Sequence, residues 1–215
     1  YTYRISFYQE KYNMASAKTI SDEVAADDNG ITASAQVANN AALVIGGALA
    51  DGGAVTFAGG RVVEITSGGN DAAIDFTIAG TDVDGASLSI TIDGGNTGAV
   101  ETSAFFATIA SITAVGDPAG TVIAGTSTEA AGSVFSGGGR LRGMAITSGG
   151  TAGIINLHNG LTAGVPGTIL FKARTVGTDN TNEHYAFPDD GILFDSGCYV
   201  TYTIGTIDMM TFYFN

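Results

Sequence analysis

Cysteine occurs once in this sequence, at Cys198, so the chain can close no disulfide within itself and offers no cysteine cluster to a metal ion. Tryptophan is absent, which removes the favoured platform for stacking a sugar ring, although eight tyrosines can take its place. Charged residues make up only 13% of the chain, and the Glu, Lys, Arg, Gln and Leu that dress amphipathic helices are scarce. Strands are therefore expected in place of helices. Basic side chains are few: 8 against 21 acidic ones, for a formal net charge of −13. That balance argues against a nucleic-acid groove, which needs clustered Lys and Arg, and against anionic membrane surfaces. The longest apolar run, residues 41–50, is broken by Gly46-Gly47 and falls short of the roughly 20 residues that cross a bilayer. No basic start leads into an apolar core, so no signal peptide is expected.

What is present is an apolar fraction of 45% with 32 glycines and much Thr, Ser and Ala. This is the composition of a packed chain with a nearly neutral surface, because disorder requires low hydrophobicity and high charge. A length of 215 residues holds one large β domain or two small ones. The acidic excess serves solubility at high local copy number.

Internal similarity divides the chain. Gly60-Arg61, Ile65-Thr66-Ser67-Gly68-Gly69, Ile74 and Phe76 recur as Gly139-Arg140-Leu141-Arg142, Ile146-Thr147-Ser148-Gly149-Gly150, Ile155 and Leu157. The block beginning at Ile65 returns 81 residues later at Ile146. Each Thr-Ser-Gly-Gly block lies between apolar runs and is expected to form a tight hairpin turn, with glycine supplying positive φ. Ile74, Phe76 and Ile78 alternate with polar positions, as do Leu88, Ile90 and Ile92, so each run predicts a strand with one wet face. Asp82-Val83-Asp84-Gly85 predicts the turn between them, and Asp117-Pro118 punctuates the runs 105–115 and 121–124. Pro188-Asp189-Asp190-Gly191 is the sharpest turn signal, with proline fixing φ and glycine taking the left-handed position. Residues 198–204 and 209–214 close the pattern. The expectation is an all-β chain: an extended N-terminal arm (1–53) and two tandem related β-sandwich or jelly-roll-like modules (54–127 and 128–215).

The arm carries the fewest signals. Ser21-Asp22-Glu23 reads as the cap of a short helix, and Asn39-Asn40 and Gly46-Gly47 interrupt any longer one. Met14-Ala15-Ser16 reads as a translation start, which makes residues 1–13 an upstream extension or a processed end. Tyr1, Tyr3, Ile5 and Phe7 alternate with polar residues, so this segment is expected to add as a strand to a neighbour. Tyr1, Tyr3, Phe7 and Tyr8, with Phe212, Tyr213 and Phe214 at the other end, are the expected subunit contacts.

Several residues invite a chemical reading, and each has a plainer one. Asp195-Ser196-Gly197 has the look of a serine nucleophile, yet Phe194 stands where glycine is needed, and the available bases are His158 and His184, the former expected on a solvent-facing position. The stretch reads as a turn. Asp82, Asp84 and Gly85, or Asp27, Asp28 and Gly30, offer oxygens of the kind calcium takes, but neither run continues to a bidentate glutamate, and Asx turns explain both. His184 with Glu183 and Asp189 is a weaker metal candidate still. Gly137-Gly138-Gly139 before Arg140 lacks the Lys-Ser/Thr pair and the helix of a phosphate loop. Cys198 alternates with Val200, Tyr202 and Ile204 and is expected to be a buried, inert thiol. No catalytic residue, metal or cofactor is expected.

At the paired Gly-Arg and Ile-Thr-Ser-Gly-Gly blocks, and at Pro188-Asp189-Asp190-Gly191-Ile192-Leu193-Phe194 followed by Tyr199-Val200-Thr201, the sequence resembles small β-rich virion proteins of tailed bacteriophages, in style those of marine and cyanobacterial phages. The resemblance spans most of residues 55–215 and rests largely on turn chemistry. It implies a non-enzymatic capsid decoration (cement) protein, a head fibre or a tail-associated component, located in the virion and assembled in the host cytoplasm. It further implies a homo-oligomer, usually a trimer, docked on the major capsid protein or another virion protein. A tail- or fibre-associated module that binds a receptor or carbohydrate is the alternative.

Overall fold

A computed structural model describes residues 16–32, 35–36, 41–178, 180–188 and 190–215. Every regular element among them is a strand: β1 Ser16–Ser21, β2 Ala35–Gln36, β3 Ala50–Asp51, β4 Ala54–Ser67, β5 Asp75–Thr81, β6 Ser87–Asp93, β7 Ala99–Val115 and β8 Thr121–Ser136. They are followed by β9 Gly139–Ser148, β10 Ile154–Thr162, β11 Val165–Arg174, β12 Thr181–Ala186, β13 Ile192–Phe194, β14 Gly197–Thr203 and β15 Ile207–Phe214. The all-β class expected from composition is what the chain adopts. A large antiparallel sheet runs β11-β10-β14-β8-β4-β7-β5-β6, with β2 on β8 and β3 on β4, and a smaller one runs β1-β15-β9-β12, with β13 also on β9.

Two hydrophobic clusters fill the body. One gathers buried residues from Ile31 to Ala124, the other from Ala130 to Phe212. They part close to the expected module boundary at 127/128, but β8 runs straight through that boundary, giving Val122 and Ala124 to the first core and Ala130 and Val134 to the second. The two halves of the chain thus share one sheet. The second core lies between β8, β10, β11 and β14 of the large sheet and β9 and β15 of the small one, a sandwich in the ordinary sense.

The first core has no second sheet above it. Its open face is covered by residues 31–32 and 41–50, where Ile31, Leu43 and Ile45 are buried with Leu49 and Ala50 against them. Backbone bonds tie this cover down: Leu43 N–H donates to Ile112 O, and Ile31 N–H to Ala124 O. The described part of the expected arm is extended, but it packs on its own chain. The short helix expected at Ser21-Asp22-Glu23 does not form; Ser21 ends β1, and the Asp22 carboxylate accepts from the Glu23 amide and, across the fold, from the Gly205 amide at 2.8 Å.

The turn chemistry holds where strands are true neighbours. β5 and β6 pair along their full length from Asp75↔Asp93 to Thr81↔Ser87, and the Asp82 carboxylate accepts from the amides of Asp84 and Ala86 while Gly85 takes φ +80°. The turn at 188–191 closes with Gly191 N–H donating to Pro188 O and Gly191 at φ +74°; Asp189 lies outside the described residues. It does not close a hairpin, however. β12 and β13 both pair with β9, so the turn is an outward loop within one broken edge strand.

The Thr-Ser-Gly-Gly blocks correct the sequence reading. Each ends a strand and leads to one that does not pair with it: β4 to β5, two places away in the same sheet, and β9 to β10, in the opposite sheet. The likeness is local, for Ser67 and Ser148 are both buried with hydroxyls lacking a partner, and it does not extend to sheet order. Gly68, Gly69 and Gly149 do not take the positive φ expected of them. Their glycine is required by close backbone approach, since a Cβ on Gly149 would sit 2.5 Å from Gly205 O and one on Gly69 2.8 Å from Ala119 O.

Because β8 serves both cores, damage to one should weaken the whole. Phe212→Ala, at a fully buried position in the second core, is expected to cost about 3–5 kcal/mol and to leave a single unfolding transition in calorimetry. Two separated transitions would show that the cores unfold independently.

Candidate functional site

The most concentrated buried polar chemistry lies where β8 passes between the cores. Arg61 on β4 is completely buried. Its guanidinium donates to Val24 O at 2.7 Å, Ser127 O at 2.7 Å and Thr126 Oγ1 at 3.0 Å, and it sits 5.8 Å from the Phe57 ring centroid. The position exists because β4 is irregular there: its register against β7 shifts between Thr56 and Arg61, and against β8 between Arg61 and Val63. Gly59 and Gly60 allow it, since a Cβ on Gly60 would meet Val83 at 2.5 Å and one on Gly59 the Ala131 carbonyl at 2.5 Å.

Two carboxylates face this cation. Glu23 is nine-tenths buried, and burial holds its carboxyl above the ordinary range although the amides of Gly59 and Ala58 and the charge of Arg61 pull the other way. Asp22 is raised for the same first reason. Burial, then the charges of Glu23 and Asp22, lifts the Tyr202 phenol well above its usual value, and its hydroxyl donates to Ser21 O at 3.2 Å. A cavity of about 300 Å³ opens beside the cluster between β1 and the bulged part of the sheet, lined by Lys18, Ile20, Glu23, Gly59, Val83 and Gly132 among others. Sequence reasoning passed over Arg61 except as part of a repeat; the available signal was a lone charge set directly after Gly59-Gly60 and before Val62-Val63. At the 81-residue spacing its repeat counterpart is Arg142, which lies half-buried with Nε donating to Asn215 Oδ1 and a guanidinium nitrogen 3.9 Å from the Asp190 carboxylate, so the two arginines are not equivalent.

The residues singled out earlier do not converge. His158 corrects the expectation of a solvent-facing ring: it is 8% exposed, with Nδ1 2.9 Å from Gly167 O and Nε2 2.9 Å from Thr201 Oγ1. Both nitrogens are engaged in holding β10 to β11 and β14. His184 is exposed on β12. Ser196 lies in an exposed turn whose amide donates to the Asn159 side chain, with Gly197 at φ +101°. Asp84 accepts from the hydroxyls of Ser133 and Tyr199, and Asp27 accepts from the Asn29 amide, so these acidic runs are spent on turns and packing. Of the expected contact residues, Phe212 is buried, Phe214 stacks on Phe135 with centroids 4.8 Å apart, and Tyr213 faces outward at 44% exposure. Tyr1, Tyr3, Phe7 and Tyr8 lie outside the described residues.

Tyr213 is one wall of a groove of about 330 Å³ on the outer face of the small sheet, with His184 and Arg142 beside it and Gly143 and Ala186 in its floor. Neither a protein-family model nor a curated protein sequence matches this chain.

Two outcomes follow. Cys198 is fully buried and burial pushes its thiol up to about 12, so a thiol reagent should label the native chain only after denaturant is added; complete labelling without it would contradict this. The carboxyl of Glu23 binds its proton more tightly folded than unfolded, so its contribution is full below its unfolded value and is lost as pH rises through its folded one. The melting temperature of wild type relative to Glu23→Gln should therefore be more favourable at pH 4 than at pH 7. The reverse trend would mean that the ionised carboxylate is what Arg61 requires.

Proposed function

We propose that this chain is a non-enzymatic virion structural protein of a tailed bacteriophage, a capsid decoration (cement) protein that self-associates and binds the major capsid lattice. The observation that carries the reading is a single sheet threaded through both cores and closed over by the chain's own N-terminal part. Such a body has few places to open locally, which suits a coat component exposed to proteases and mechanical stress. The side chains with reactive potential support it too: His158, Asp82, Asp84 and Cys198 are consumed by hydrogen bonds or burial. The acidic surface keeps many copies soluble before they dock.

The second reading, a tail- or fibre-associated module for a receptor or carbohydrate, draws on the Tyr213 groove, where an exposed ring lies beside polar side chains.

Purified full-length chain added to heads lacking it should bind saturably, at a fixed ratio to the major capsid protein, and raise the temperature at which heads release DNA. Heads that neither bind it nor gain stability, together with glycan-array binding lost in Tyr213→Ala, would replace the coat reading with the second one.

A further inference from the structure

Three exposed large apolar side chains share one strand. Val165, Ile169 and Leu170 on β11 are 40%, 39% and 41% exposed, Val176 just beyond it 58%, and Leu193 on β13 47%. Among the described residues β11 pairs only with β10, so a ten-residue strand has its outer edge open. A register shift sets Ile169 opposite His158 and Phe171 opposite Leu157, which leaves Leu170 between them without a partner. The other end strands are guarded differently: β1 is six residues long and mostly polar, and β6 is short, alternates buried and wet positions and ends in Asp93. Beyond Pro166, the bulge at Leu170 and the terminal Lys172 and Arg174, this long edge has no cover among the described residues and can pair with another chain.

The second open edge of the sandwich lies directly beside it. Phe171 on β11 makes edge-to-face contacts with Tyr185 on β12, at 5.6 Å between centroids, and with Phe187, at 4.9 Å. β12 and β13 in turn pair only with β9 among the described residues. The two edges differ in charge. Residues 130–178 contain no Asp or Glu, in a chain of net charge −13, and β11 ends in exposed Lys172 and Arg174. Residues 179–195 contain five acidic residues and no Lys or Arg; among the described ones Glu183 lies on β12, and exposed Asp190 and Asp195 flank β13.

We propose that this side of the sandwich is a contact between two copies of the chain, related by a two-fold axis that sets the basic, apolar β11 edge of one against the acidic β12–β13 edge of the other. A surface that carries both halves of a complementary pair is its own complement once rotated, which is the condition for a closed isologous dimer. The acid-free segment also gives strongly acidic molecules a face on which they can approach. The contact is independent of what the oligomer docks on, and its two-fold differs from the threefold that the phage resemblance implies.

Sedimentation velocity of the full-length chain tests it. Wild type should sediment as two copies, and Ile169→Lys/Leu170→Lys should weaken the association at least tenfold without changing the far-ultraviolet circular dichroism. Ser89→Lys, an equal change on the β6 edge, should leave it intact. A wild type that stays single at all concentrations, a three-copy species, or a dimer indifferent to the β11 variant would each overturn the proposal. So would a monomer that dimerises only after residues 1–13 are deleted, since the chain's own start would then occupy the edge. Head binding is read separately, so loss of the coat reading leaves the dimer standing, and the converse also holds.

Discussion

The constraint on which the rest of the structure depends is the desolvated guanidinium of Arg61. A cation removed from water costs several kcal/mol unless hydrogen bonds and opposite charge replace its hydration shell. Here the replacements come from three parts of the chain that are remote in sequence: Val24 from the N-terminal segment, Thr126 and Ser127 from β8, and Phe57 from β4 itself. The side chain can be satisfied in one arrangement only, with the N-terminal segment crossing the junction and β8 passing from one core to the other beneath it. Its Nε finds no partner, so the satisfaction is incomplete, as buried ionic groups often are. Removal of the cation would take one favourable charge from Glu23 and Asp22 and leave them to the backbone amides that already bond them.

That junction ties the two cores into one sheet. The large sheet is irregular between the two cores, where β4 and β7 lose register around Gly59, Gly60 and Arg61. Bulges increase local twist and turn strands out of plane, so the large sheet can face the small sheet at one end and the N-terminal cover at the other. Beside this irregularity Val62, Phe105 and Ala131 form a small third cluster. Gly164, at the tip of the β10–β11 hairpin, accepts from the Phe105 amide and so ties the far edge of the sheet back to its middle.

The sequence was legible where a rule is local. Alternation gave β5 and β6 and their turn, because one face is wet and the register is set by the hairpin. The burial of Cys198 was legible from Val200 and Tyr202 at alternate positions. The Thr-Ser-Gly-Gly blocks misled because glycine has two uses, positive φ and close approach, and the sequence does not distinguish them. His158 misled because alternation assumes that the second face of a strand is wet, whereas here that face is closed over: Thr201 beside the ring is 7% exposed, and Tyr199 reaches the Asp84 turn. The cover over the first core escaped because its alanine and glycine content gives no periodicity; it is fixed by the open face it fills, which is a tertiary fact.

The placement of the two ends of the fold sets the order in which it can be completed. β1 pairs with β15 from Ser16↔Phe214 to Ser21↔Met209, Asp22 accepts from the Gly205 amide, and Tyr202 donates to Ser21 O. The small sheet and the junction around Arg61 therefore need residues from both ends of the described chain at once. Pairings of such long sequence separation close late, since the loop entropy must be met before the contacts reward it. Until then the first core can assemble from residues 31–124, whose strands and cover are contiguous in sequence, while the edge of β9 that receives β15 stays open. A partly folded chain thus exposes the apolar second core and unpaired β9 together, the condition under which copies exchange strands or aggregate. The net charge of −13 opposes that encounter during the interval, because copies that repel one another meet less often before the last strand is in place.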